Sequence, residues 1–141
     1  MTTDTPSRSF TRFIPPVARI LMGLPLCIFG LNGFLNFIPP PPDPLPEAAA
    51  NFAGALAASG YMMPLIGLTL LTVGVLLVIN RFVPLALVLF APFIVNSLAF
   101  HIFLEHSGLA PACVFLAFEL YLAWVYRAAY RPLLTARFTA N

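Results

Sequence analysis

Long apolar stretches alternate with short polar breaks along this chain. Four stand out: 17–38 (VARILMGLPLCIFGLNGFLNFI), 63–80 (MPLIGLTLLTVGVLLVIN), 82–104 (FVPLALVLFAPFIVNSLAFHIFL) and 109–126 (LAPACVFLAFELYLAWVY). A helix needs about 20 apolar residues to cross ~30 Å of hydrocarbon. The first and third stretches reach that length. The second and fourth are shorter and call for local thinning or little tilt. The first is longer than the roughly 7–15 apolar residues of a signal-peptide core and is closed by prolines 39–42, so it reads as a span rather than a cleaved leader.

Between the first two stretches lies the one sizeable loop, 39–60. Prolines 39–42 lack amide donors and favour extended chain, so no helix runs through them. Within the loop, EAAANFAGALAAS at 47–59 has the marks of a short helix. Pro46 suits a helix start, Glu47 suits the positive end of the dipole, and Gly60 suits a C-terminal cap. Phe52 and Leu56 share one face of it. The expected fold class is therefore all-α: a four-transmembrane-helix bundle over 15–134, with a short outer-surface helix between helices 1 and 2, and polar tails at 1–14 and 135–141.

Composition supports a membrane setting. Of 141 residues, 60% are hydrophobic and 9% charged, and mean hydropathy is +0.93. Soluble domains carry about 25% charged residues. A net charge of +2 is too small to suggest a nucleic-acid partner, the basic residues form no stripe, and none is expected.

The charges also set a direction. Arg8, Arg12 and Arg19 lie at the start of the first span, Arg81 lies between the second and third, and Arg127, Arg131 and Arg137 follow the fourth. Asp43, Glu47 and Glu105 fall in the other loops, which carry no arginine. The positive-inside rule then puts both termini in the cytoplasm. Trp124, Tyr126 and Tyr130 form an inner aromatic belt, and Tyr61 sits at the outer interface.

Polar side chains inside the spans are the candidate chemistry, because each is costly in hydrocarbon. Asn32 and Asn36 lie one turn apart, ~9 and ~3 Å below the outer end of helix 1. On helix 3, Asn96 and His101 lie ~12 and ~5 Å below the outer end. Two readings follow. Either the four hydrogen-bond helix 1 to helix 3, or they line an outward-opening pocket with Phe34, Phe100 and Phe103 that takes a lipid head group, a quinone ring or another small polar-headed molecule. Glu119, ~10 Å from the inner end of helix 4, is expected to pair with Arg19 on helix 1.

Gly23–Leu31 and Gly67–Val75 each place glycines seven residues apart on one face, which predicts close packing of helices 1 and 2. Cys27 and Cys113 lie in apolar segments and form no C-x-x-C pair. His101, Glu105 and His106 read as interfacial polar residues, and no metal site is expected. The chain has no G-x-S-x-G, H-E-x-x-H, Walker or Rossmann pattern, so no catalytic residue is assigned.

ARILMGLPLCIFGLNGFLNFIPPPP, PEAAANFAGALAASGYMMPLIG, NRFVPLALVLFAPFIVN and AWVYRAAYRPLL together resemble the DoxX-like family of small bacterial membrane proteins. The resemblance spans roughly residues 17–134. It implies a four-helix bundle in a bacterial inner membrane, and some members serve quinone-linked or thiol-linked redox systems. Members often carry a glutamate four residues before a glycine of helix 2; here that position, before Gly74, is Leu70. The expectation is an accessory or ligand-binding subunit rather than an enzyme. Its cofactor is open, with a quinone as one candidate. Its partners are the bilayer, an oxidoreductase and other copies of itself. A quinone-using oxidoreductase component and an oligomeric transporter subunit are the alternatives.

Overall fold

The computed structural model describes residues 10–136, which are helices, turns and loops with no strand among them. A 3-10 turn at Phe10–Phe13 leads into α1 (Ile14–Leu35). The loop helix α2 (Glu47–Ala58) follows, then α3 (Met62–Val78), α4 (Val83–Phe103) and α5 (Leu109–Val125). A second 3-10 stretch, Arg127–Leu134, closes the described chain. The tails at 1–9 and 137–141, with Arg8 and Arg137, lie outside the described residues.

The helix ends follow from local chemistry. Pro15 and Pro16 stand in the first turn of α1, where a missing amide costs nothing. α1 stops at Leu35, three residues short of the expected end. Asn36 takes a left-handed conformation (φ 48°) and its amide bonds to the Asn32 carbonyl at 2.9 Å. The Asn32 side chain then accepts the Ile38 amide at 2.7 Å. Asparagine tolerates the left-handed region better than other non-glycine residues. Gly60, also at positive φ (76°), lies between α2 and α3. Asn80 and Phe82, at φ 57° and 52°, make the tight turn between α3 and α4.

The long helices pack as a ring: α1 on α3, α3 on α4, α4 on α5, and α5 back on α1. Neighbours in the ring run antiparallel. One end of the bundle carries α2 and the α4–α5 turn; the other carries the described termini and the α3–α4 turn. Met22, Leu26, Val73, Leu77, Phe90 and Leu122 are among the buried residues of the shared core.

The α1–α3 seam is the closest contact, as the glycine spacing predicted. A Cβ on Gly30 would fall on the backbone nitrogen of Leu71. One on Gly74 would stand 2.7 Å from the backbone of both Cys27 and Gly23. Gly67 would meet the Gly30 carbonyl at 2.9 Å. Small residues let two backbones touch, and in lipid that close packing is a main source of helix association.

Two continuous helical stretches, Thr11–Leu35 and Val83–Phe103, are long and apolar enough to cross a membrane. Two bent pairs, α2 with α3 (90°) and α5 with Arg127–Leu134 (76°), would bring the number to four if each is one span. The outward faces are apolar: Leu24, Leu68, Val95 and Leu120 all lie open on the surface.

Candidate functional site

At the α2 end of the ring, α1, α3, α4 and α5 surround a cavity of about 250 Å³. Phe29, Phe90, Phe93 and Phe115 form much of its wall. Its polar lining comes from α4, where Ser97 and His101 sit one helical turn apart on the same face. Pro92 lies inside α4 immediately before Phe93. A proline there removes a backbone hydrogen bond and bends the helix.

His101 is held in place from three directions. Its Nδ1 lies 3.1 Å from Glu105 Oε2 and 3.0 Å from the Glu105 carbonyl. Both partners are acceptors, so Nδ1 carries the proton and donates to them. The ring also lies against Gly108. A Cβ at that position would fall on the His101 Cε1, so only glycine leaves room for the imidazole.

Glu105 is anchored in turn. Its Oε1 accepts the Ser107 amide at 2.6 Å and its Oε2 accepts the Gly108 amide at 3.1 Å. The Ser107 side chain, the Ser107 and Gly108 amides and His101 together hold its carboxyl down at about 2. A carboxylate gathering several donors stays ionised in this way. The α4–α5 turn thus wraps around one carboxylate, which fixes one histidine.

The sequence-predicted pocket residues divide among different places. His101 lines the cavity. Asn96, Phe100 and Phe103 line a separate shallow groove with Phe52, between α2 and α4. There the Phe52 and Phe100 rings approach to 5.8 Å, which docks α2 on α4. Asn32 and Asn36 line neither space; their work is to end α1, as described above. Phe34 lies on the seam, beside Gly67. The hydrogen bonds expected between the asparagines of helix 1 and the polar residues of helix 3 are not made among the described residues, because Asn32 already serves its own backbone.

The expected Arg19–Glu119 ion pair is also not made. Among the described residues the one contact between a basic side chain and a carboxylate is that of His101 with Glu105, which is an ion pair only when the imidazole is protonated. Arg19 instead donates from an NH1 group to the Leu77 carbonyl at 3.1 Å. That carbonyl is in the last turn of α3, where it also accepts the Asn80 amide at 3.3 Å and where a positive charge is favoured. Arg19 Nε and Glu119 Oε2 are left as buried atoms without a hydrogen bond.

Sequence reasoning missed Glu105, Gly108 and Ser97 as parts of the site. The i, i+4 spacing of His101 and Glu105 is the signal for it in the sequence, although the same spacing also fits an ordinary interfacial pair. Compared with protein-family models, with curated proteins and with solved structures, the chain matches none.

Proposed function

We propose that this protein is a four-span membrane bundle whose α2-end cavity binds a small, largely apolar molecule, and that it acts as a non-catalytic binding subunit. In this reading α3 and α5 each cross the bilayer alone. Their 17 residues give ~26 Å of helix, a little under the hydrocarbon thickness. α2 and Arg127–Leu134 turn off them to lie along the two surfaces. Arg12, Arg81, Arg127 and Arg131 belong to the terminal end, which favours that end as cytoplasmic. Trp124 supports this: its ring is exposed and carries the Arg127 guanidinium 4.6 Å from its centroid, as at a headgroup boundary. The resemblance to the DoxX-like family, and through it a bacterial inner membrane, agrees with this arrangement.

The cavity carries the functional reading. Apolar cavities in packed interiors cost about 24 cal/mol per Å³ when nothing fills them. This space is partly open, with Phe29 half exposed at its edge, so its lining atoms lose packing contacts without the full cost of a closed void. A bundle that packs glycine on glycine at one seam has the means to close such a space. A ring-sized occupant recovers the lost contacts, as benzene does in an engineered apolar cavity of ~150 Å³.

Native mass spectrometry of the protein released from mild detergent tests the proposal. The intact chain is expected to carry a bound small molecule. Ala112→Leu, which projects extra volume from the cavity wall, is expected to lose it while the helices remain by circular dichroism. A chain that flies bare, or a variant that keeps the same adduct, would sink the reading.

A further inference from the structure

Building on the proposed occupancy of the cavity, we infer that the site selects a neutral ring bearing a hydroxyl group, which donates its proton to His101 Nε2. The geometry assigns the direction of that bond. His101 Nδ1 faces two acceptors, the Glu105 carboxylate and the Glu105 carbonyl, and so must be the protonated nitrogen. In a neutral imidazole the other nitrogen is then a bare acceptor. Nε2 has no hydrogen-bond partner among the described residues, and the ring borders the cavity. Ser97, the other polar group on the wall, likewise makes no side-chain hydrogen bond among the described residues. Glu105 is a positioning residue here: it fixes the tautomer, and Gly108 gives the ring its seat.

This chemistry discriminates. A ligand hydroxyl can donate to Nε2. A carbonyl or ether oxygen brings only lone pairs, leaves Nε2 unmet and gains nothing from it. A carboxylate would bring a second negative charge close to Glu105 and enter a wall that is otherwise phenylalanine and aliphatic. The four phenylalanines favour a flat aromatic body, which can stack or sit edge-on against them. The preferred class is therefore a phenol-like molecule, and an all-carbonyl ring binds less well.

The test compares 1-naphthol with 1-methoxynaphthalene, titrated into the detergent-solubilised protein and followed by ligand-observed NMR. The two share a ring system and differ at the oxygen, where a methyl group replaces the hydroxyl proton. 1-Naphthol is expected to bind several-fold to about tenfold more tightly, the effect of one net hydrogen bond. His101→Phe should remove the preference while the methoxy compound still binds. Should that variant fail to fold, Gly108→Ala, which displaces the ring, should remove the preference in the same way. Nitrogen-15 NMR of the imidazole should show Nδ1 protonated and Nε2 bare. Equal binding of the two probes by the wild-type protein, or a protonated Nε2, overturns the hydroxyl assignment and leaves the cavity reading standing. If neither probe binds, occupancy by a ring fails, and this inference fails with it.

Discussion

Where α1 crosses α3, glycine faces glycine and a single added methyl group would strike backbone; where α4 meets α5 at the α2 end, aromatic rings stand around a cavity of about 250 Å³. The two regions lie in one small bundle and share residues: Leu26 and Leu70 belong to the core and also border the cavity. In a membrane the hydrophobic effect does little to press helices together, so close contact and polar links hold them. The seam supplies the close contact. The cavity side is held by a turn in which backbone amides gather on Glu105 and Glu105 holds His101. A rigid seam lets the opposite side keep a shaped space without the ring collapsing around it.

Breaking the seam should have the largest effect. Gly30→Leu forces α1 off α3 and is expected to cost about 3 kcal/mol or more, at the upper end of overpacking costs. Gly54→Leu is its control. Gly54 lies exposed in α2, where an added Cβ meets nothing within 4 Å, and leucine is a better helix former there. Reversible unfolding in mixed micelles should therefore show a severe loss in the first variant and none in the second.

Asn32→Leu comes next. It strips the Ile38 amide of its acceptor and should cost about 1–2 kcal/mol. Because Asn32 caps α1 and does not line the cavity, the retained small molecule in native spectra should be unchanged. Loss of the adduct at intact fold would instead return Asn32 to the pocket. Phe52→Ala, which removes one ring of the Phe52–Phe100 contact, is expected to cost about 1 kcal/mol. Its readout is faster hydrogen exchange confined to α2.

The smallest effect concerns the α4–α5 turn. The Glu105 carboxyl titrates at about 2 in the folded protein against an ordinary 4.5. A lowered folded pKa gives stability that is fully present above about 4.5 and disappears as pH falls through about 2. Glu105→Gln lacks that term. The gap in melting temperature between wild type and Glu105→Gln should thus be constant at neutral pH and shrink between pH 4.5 and 2. A gap that widened on acidification would contradict the bonding described at that carboxylate.

The helices and the seam were legible in the sequence, because both depend on periodic properties of single segments. Apolar length marked the four long helices to within three residues at each end, and the seven-residue glycine spacing marked the α1–α3 contact. Asn32 and Asn36 were misjudged for a local reason. Polar type and depth do not tell whether an asparagine side chain turns inward or, like Asn32, bonds backbone three residues beyond the helix end. Arg19 is a similar case: charge alone points it to a carboxylate on another helix, but its guanidinium donates to the Leu77 carbonyl at the end of α3, where a positive charge is favoured. The cavity was the least legible feature, since it is formed by the ring order of four helices, which no single segment encodes.

The most direct test of the central claim, that a small molecule lodges inside the ring at the α2 end, is intermolecular NOE measurement with toluene on bicelle-embedded protein carrying labelled phenylalanine and valine. Strong contacts are expected from toluene to the Phe93 and Phe115 rings, and weaker contacts to outward-facing Val95 that scale with toluene dissolved in the bilayer. Contacts to Val95 alone, with the Phe93 and Phe115 rings silent, would contradict that claim.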